Sequence, residues 1–272
     1  MRAKIYLSKL VRMFGLTLVA DKGYYYFQYC KNFFANRKFK TQHKDFVLPP
    51  DCFLSETYNL NYNDYYHDGR QTAIEIVELL GAAIDLNERG RSILDWGCGP
   101  GRVVRHLPEL LLGKVSIYGS DYNQAYVNWC SEYVPGVTFL KNELRPPMSF
   151  PDHSFDCIYG LSILTHLSAD NHFAWIKEMH RLLKKGGVLL VTTQGNAYKR
   201  KLLSRELKQF ENNELVIRHS EVEGHRVYSA FQSIGFMEEL LACFTVVRFI
   251  PGGTAASIHG LQDTWLVKKM TI

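Results

Sequence analysis

The stretch Arg91–Arg102, RSILDWGCGPGR, constrains this chain more than any other. A short apolar run, Ile93 and Leu94, ends in Asp95 and meets three glycines two apart, Gly97, Gly99 and Gly101. An amphipathic run follows, with Val103, Val104, Leu107, Leu110 and Leu111. The order predicts a strand, a tight turn and a helix. Glycine permits positive φ and, lacking Cβ, lets the backbone approach a ligand closely. A helix start would add free N–H groups and the positive end of a dipole. The turn is therefore expected at the carboxyl edge of a parallel sheet, as a cofactor site. In the dinucleotide fingerprint G-x-G-x-x-G the third glycine comes one residue later than here. A second strand candidate, Val115–Ser120, leads into Asp121, 20 residues after Gly101. An acid at that distance is placed to accept both ribose hydroxyls of a nucleoside.

The rest of the chain alternates in the same way. Apolar runs predict strands at 91–95, 115–120, 137–141, 154–160 and 187–193, and at 244–249 and 264–268. Helical periodicity predicts helices at 71–86, 101–112, 123–133, 169–184 and 228–241. Pro108 should kink or divide the second of these. Ser168 suits the N-cap of the helix at 169–184, Asp170 its first turn, Lys184 and Lys185 its last, and Gly186 its stop. Strand–helix alternation implies a doubly wound α/β fold with a mostly parallel sheet.

Four segments carry a family resemblance: ILDWGCGPGR, YGSDYN, FPDHSFDCIYGLSILTHL and HRLLKKGGVLLVTT, in this order over Arg91–Thr193. Together they resemble the class I S-adenosylmethionine-dependent methyltransferases. GLQDTWLVK (Gly260–Lys268) is similar to the closing strand of a subgroup found near glycan and lipid biosynthesis. The resemblance implies a Rossmann-like sheet of seven strands, the last antiparallel, and S-adenosyl-L-methionine as cofactor. It implies that Asp95 attracts the ammonium and that Gly97, Gly99 and Gly101 let the backbone reach the methionine and ribose. Asp121 would take the ribose diol, Tyr122 would lie on an adenine face, and Asn142 would meet the adenine amino group. The backbone of Leu161 would face the ammonium. His166, in LSILTHLS, is the first candidate for a general base, since its ordinary pKa suits the task; the same position also serves as a pocket wall.

The implied reaction is methyl transfer, to an oxygen of a small-molecule, glycan or lipid-linked acceptor. YGLS (Tyr159–Ser162) stands where amino-methylating DNA enzymes carry D/N-P-P-Y/F, and the chain has no Pro-Cys pair, so nucleic acid loses weight as acceptor. An RNA or protein methyltransferase, or an inactive fold serving as a binding module, stay open as alternatives. A nicotinamide dehydrogenase is disfavoured by the glycine spacing and by Leu202 four residues after Tyr198, where Y-x-x-x-K requires lysine. His219, His225 and His259 are further base candidates, and Gln262 and Asp263 either face the acceptor or cap the last strand. His219, Glu221, Glu223 and His225 alternate; a solvated strand face is preferred over a metal site, and no metal is expected.

Length suits one domain with appendages. The expected division is a basic aromatic arm over 1–45 and a methyltransferase domain over 46–272, with an acceptor-recognition insertion at 194–227. The arm holds ten Lys and Arg against two acids, a net +8, while the remaining 22 and 25 leave −3. Leu7, Leu10, Val11, Phe14 and Leu18 recur at helical spacing, and an aromatic cluster from Tyr24 to Phe39 follows. Three readings fit: a cap on the domain or on a second subunit, an interfacial helix on an anionic membrane, or a nucleic acid contact. Pro49-Pro50 marks a linker, and 46–70 reads as an ordered loop in which Tyr65, Tyr66 and Arg70 close the site or pack its rim. No run of about 18 uncharged apolar residues exists, so no spanning helix is expected. The six cysteines are scattered without a C-x-x-C pair, which predicts free thiols and a cytoplasmic location, with peripheral membrane contact open through the arm. The oligomeric state is not encoded in any motif.

Overall fold

Side chains alternate across a strand, so a strand covered on both faces must be apolar at every position. β1 (Ser92–Trp96) and β4 (Phe155–Gly160) are buried along their whole lengths. In the computed structural model, which describes residues 17–218, 223–224 and 228–270, these two strands are neighbours at the centre of a seven-stranded sheet. The order is β3-β2-β1-β4-β5-β9-β8, with β2 (Ser116–Asp121), β3 (Thr138–Lys141), β5 (Leu183–Thr193), β8 (Phe244–Ile250) and β9 (Asp263–Lys269). β3, β2, β1, β4 and β5 are parallel, and β9 is antiparallel to both β5 and β8. The doubly wound sheet with an antiparallel last strand is thus as the sequence leads one to expect.

Alternation divides the core in two. Ile93, Cys157, Tyr159, Val188, Leu190 and Leu266 pack on one side with Ala73, Ile76 and Leu80. Leu94, Trp96, Ile158, Leu189, Val191, Trp265 and Val267 pack on the other with Trp175, Ile176 and Met179. The contacts divide the chain between Asp68 and Gly69 into two compact units. Before that point lie α1 (Thr17–Gln42), α2 (Asp51–Thr57) and the start of α3 (Tyr62–Gly81). Phe39, Leu54, Leu60, Tyr62 and Tyr65 form the core of the first unit, with Tyr66 packed against it. The stretch read as a loop, 46–70, is therefore largely helical. Asn61 caps α3 by accepting from the amides of Asn63 and Asp64 at 3.1 and 3.3 Å, a side-chain signal that periodicity does not carry. Leu7, Leu10, Val11 and Phe14 lie outside the described residues.

Three expectations in the second unit change. No continuous helix spans 101–112: a turn leads into a 3-10 segment at Val104–His106 and one short helix, α4 (Leu107–Leu110). Pro108 sits in the first turn of α4, where its missing N–H is tolerated, and it cannot extend a helix that begins before it. The helix after β4, α6 (Ala169–Leu182), ends two residues early because Leu183 already pairs with Phe155. Ser168 caps it as expected. Gly186, at φ 71°, lies inside β5, where a bulge sets one residue of β4 against four of β5 between the Phe155 and Cys157 pairs. The expected helix at 228–241 opens instead with β7 (Ser229–Phe231), which pairs with β6 (Val216–Arg218); α8 (Ile234–Leu240) follows, capped by Ser233. The insertion further holds α7 (Ser204–Glu211), and α5 (Gln124–Tyr133) lies between β2 and β3. Among the described residues no helix is long and apolar enough to cross a membrane.

The amino ends of the central strands are tied by Asp156. Its carboxylate accepts from the Ser92 amide at 2.9 Å, Arg91 Nη1 at 2.5 Å and Lys184 Nζ at 2.6 Å. Burial alone would raise this carboxyl; the bonds from Lys184, Arg91 and Ser92 outweigh it and hold it below the ordinary carboxylate range. A depressed value stabilises the fold above the unfolded-chain pKa, and that contribution is lost as pH falls through the folded value. Asp156→Ala is expected to lower the unfolding free energy by about 2–4 kcal/mol at neutral pH. In urea titrations the gap between variant and parent should narrow in acid.

Candidate functional site

The site is built where β1 and β2 end. Gly97, Gly99 and Gly101 take φ of 76°, 53° and 75°, the left-handed region that side chains with a Cβ adopt at a cost. A Cβ on Gly97 would also stand 2.0 Å from Ile163 Cδ1. The loop amides are committed to β2. Gly97 N and Cys98 N both donate to the Ser120 carbonyl, at 2.8 and 2.9 Å. Gly99 N donates to Asp121 Oδ2 at 2.9 Å, and Asn123 N donates to Asp121 Oδ1 at 2.8 Å. Because no long helix starts after Gly101, the expected helix dipole is not part of this loop. Its polarity comes from side chains and turns.

Two acids are held in the interior here. Asp121 ends β2 and is 6% exposed. Burial pushes its carboxyl up to about 6, against the pull of the Asn123 and Gly99 amides. Asp95 lies in β1, 4% exposed, and burial pushes it up to about 7. The Tyr159 phenol and the charge of Arg102 favour its ionised form, while the charge of Asp121 opposes it. A cation placed near Asp95 would complete the balance.

Beside Asp121 opens a cleft with about 440 Å³ of space. Its polar lining includes Asp121, Tyr122, Asn142 and His166, and Trp96, Leu144, Ile163, Leu167 and Trp175 make its apolar walls. Trp175 is fixed by its Nε1 donating to the Leu144 carbonyl at 3.0 Å. Asn142 is buried, and its Nδ2 donates to the Glu143 carbonyl at 2.8 Å. Its Oδ1 is buried without a partner among the described residues. An apolar cleft with one unmet acceptor fits an apolar ring bearing an amino group. His166 closes the 3-10 segment Leu164–His166, and its Nδ1 lies 2.9 Å from the Tyr228 carbonyl. Nδ1 must therefore carry the proton, which makes Nε2 the basic nitrogen.

Of the residues singled out from sequence, Gly97, Asp121, Tyr122, Asn142 and His166 line this cleft. Asp95, Gly99 and Gly101 belong to the adjoining strand and loop. Leu161 follows β4, packs partly against the core and is not part of the lining. Tyr65 and Tyr66 pack within the first unit. Arg70 pairs with Glu109 at 3.7 Å. Burial and the charge of Arg102 lower His259 to about 4, so it stays neutral. Gln262 donates to Ser162 Oγ at 2.8 Å, and Asp263 accepts from the Gly252 amide at 2.7 Å.

Two residues were not legible as site residues. Glu223 is not on a solvated strand face: it sits in a turn and accepts from the Ser168 amide at 2.6 Å and from Asn171 Nδ2 at 2.7 Å. Gly224 N donates to the His166 carbonyl at 3.0 Å, and the Tyr122 hydroxyl donates to the Gly224 carbonyl at 3.1 Å. The insertion thereby lines the cleft and links its two sides. His219, Glu221 and His225 lie outside the described residues. Among the described residues no His, Cys, Asp and Glu cluster could hold a metal.

The family described as "Methyltransferase domain" matches residues 93–187. A phosphoethanolamine N-methyltransferase of Plasmodium falciparum is 30% identical over 122 residues, which is 44% of this chain and 44% of that protein. The match thus spans under half of that relative's length. A tRNA N(3)-methylcytidine methyltransferase of Schizosaccharomyces pombe is 25% identical over 203 residues, 69% of this chain and 62% of that protein. Among solved structures, a SAM-dependent methyltransferase from Methanosarcina mazei superposes with a TM-score of 0.50 at 21% identity, over 68% of this chain and 95% of that one. That likeness speaks for the fold. With the glycine loop, the acid at the tip of β2 and the seven-stranded order, residues 93–187 carry a methyltransferase domain that resembles those of the class I S-adenosylmethionine-dependent enzymes.

Proposed function

We propose that the chain binds S-adenosyl-L-methionine and transfers its methyl group to an oxygen of a small-molecule, glycan or lipid-linked acceptor. The observation that carries the cofactor reading is the buried Asp121 carboxylate at the tip of β2, sharing one cleft with Gly97, Tyr122 and Asn142. The sulfonium supplies an activated methyl carbon and leaves as a neutral thioether. Asp121 would accept the ribose hydroxyls, and the unmet Asn142 Oδ1 would accept from the adenine amine. Asp95 would hold the ammonium. Trp96, Ile163 and Trp175 wall the cleft. His166 Nε2 would take the proton that an acceptor hydroxyl loses as its oxygen bonds to the methyl carbon. The acceptor class rests on YGLS in place of an amino-methylating motif and on the basic, aromatic arm. A second reading, RNA as acceptor, is favoured by the long match to the Schizosaccharomyces pombe tRNA enzyme. Steep salt dependence of RNA binding would separate it from the first.

Titration calorimetry with S-adenosylhomocysteine should give micromolar binding, and Asp121→Ala should weaken it tenfold or more, about 1.4 kcal/mol or above. Absence of binding by the parent chain would defeat the cofactor reading. The same carboxylate should cost stability when no ligand is added. Its folded pKa of about 6 lies above the unfolded value, so the neutral form favours folding, and that advantage disappears as pH rises through about 6. Asp121→Asn stays neutral throughout. Its Nδ2 meets one of the two amide donors at every pH, so the pH trend carries the test: relative to the parent it should gain about 1–2 kcal/mol between pH 4 and pH 8. His166→Gln should lower turnover on an identified acceptor about 100-fold while leaving S-adenosylhomocysteine binding within about threefold. Unchanged turnover would reduce His166 to a pocket wall.

A further inference from the structure

Helix α1 has two faces that carry aromatic rings and a partner for one of them. On the first face Tyr25, Asn32, Asn36 and Phe39 pack inward or bond to the first unit's own core; Asn36 Nδ2 donates to the Leu60 carbonyl at 2.7 Å. At about 100° per residue these four fall within an arc of roughly 60°. Tyr26, Phe27, Tyr29, Phe33 and Phe34 fall within a separate arc of roughly 160°, centred about 130° away. All five are exposed, Phe34 by 82%, Tyr26 by 67% and Phe27 by 60%. Phe33 and Phe34 meet edge to face at 5.3 Å and Tyr29 lies 6.4 Å from Phe33, while Phe27 stacks on Tyr24 at 6.4 Å and Tyr26 meets Tyr25 edge to face at 5.5 Å. Scattered apolar residues on a surface need no explanation, but a contiguous aromatic stripe along one helix does.

The charges around the stripe say what covers it. Lys22 and Arg37 stand toward its two ends, and Lys31 and Lys38 border one edge at helical spacing; all four are exposed. No acid occurs between Asp21 and Asp45. We infer that this face of α1 is a membrane-interface contact that seats on an anionic lipid surface. Phenylalanine rings gain by leaving water for the acyl boundary, tyrosines suit the headgroup level, and long basic side chains reach the lipid phosphates while their stems stay apolar. A second copy is a poorer occupant, because it would bring two helices of the same strong positive charge face to face. Nucleic acid is the alternative occupant, and RNA binding in the test below separates it from a lipid surface. The inference goes beyond the methyl-transfer reading and does not depend on it.

The test is sedimentation of the full chain with vesicles of phosphatidylcholine alone and with about one-third phosphatidylglycerol. Partition into the anionic vesicles should exceed that into neutral ones by about tenfold or more, and should fall as salt is raised toward about 0.5 M. The triple variant Phe27→Ser, Phe33→Ser, Phe34→Ser should lose about tenfold or more in partition, and Lys31→Gln with Lys38→Gln about fivefold per charge. Both variants change exposed side chains, so circular dichroism and S-adenosylhomocysteine binding should be unaltered; those two readouts separate a failure of this inference from a failure of the cofactor reading. Equal partition into both vesicle types, or none, overturns the inference. So does a triple variant that keeps its partition but loses concentration-dependent dimerisation or RNA binding.

Discussion

The hydrogen bond from the Gly99 amide to the Asp121 carboxylate, 2.9 Å long and buried, ties the glycine loop to the tip of β2. Much of the site is arranged around it. The loop can reach that carboxylate only because Gly97, Gly99 and Gly101 adopt positive φ, and because Ser120 accepts the two preceding amides. Parallel pairing of β1 with β2, Asp95 opposite Gly119, brings the two acids to the same end of the sheet. An ionised carboxylate in such a place is expensive, and burial raises both Asp121 and Asp95 accordingly. In the proposed function a nucleoside diol and an ammonium compensate them. Strain and desolvation of this kind belong to binding sites rather than to the packed core.

The other end of the sheet solves the opposite problem. Asp156 is equally shielded, yet Arg91, Lys184 and the Ser92 groups surround it, and its carboxyl is held low. One acid stabilises the sheet and the others are held ready for a ligand. The insertion reaches the cleft through Gly224, and Glu223 anchors the turn that carries it. Glu223 satisfies the amide end of α6, and the Gly224 backbone joins His166 to Tyr122. Trp96 and Trp175 wall the cleft and backbone hydrogen bonds link it across, so its fixed donors and acceptors act in a partly apolar surround.

The sheet and the glycine loop were legible because they depend on local rules. Continuous apolar runs mark strands buried on both faces, three glycines two apart mark a turn with positive φ, and Asp121 is found by counting from Gly101. What escaped depends on pairing at a distance. The helix at 101–112 looked regular by period, but Pro108 and the demands of the loop break it into short pieces. Gly186 read as a helix stop, yet Leu183 had already entered β5 opposite Phe155, a contact no local window contains. Glu223 read as a solvated acid because its partners, Ser168 and Asn171, are more than fifty residues away. The helices at 51–57 and from Tyr62 rest on Asn61 and on aromatic packing, neither of which has a helical period.

The arm and the domain divide two tasks in the proposed function: α1 presents a basic, aromatic face, and the sheet edge presents two costly carboxylates. The second claim is the central one, and proton release measures it directly. Calorimetric titration of S-adenosylhomocysteine near pH 6.5, repeated in buffers of different ionisation enthalpy, counts the protons exchanged on binding. Filling the site should lower the raised carboxyl pKa values of Asp95 and Asp121, so a net release of roughly half a proton or more is expected, fading above about pH 8. Tight binding with heats independent of buffer would contradict the account, because the two acids would then be ionised already and would not be held at a cost for the ligand.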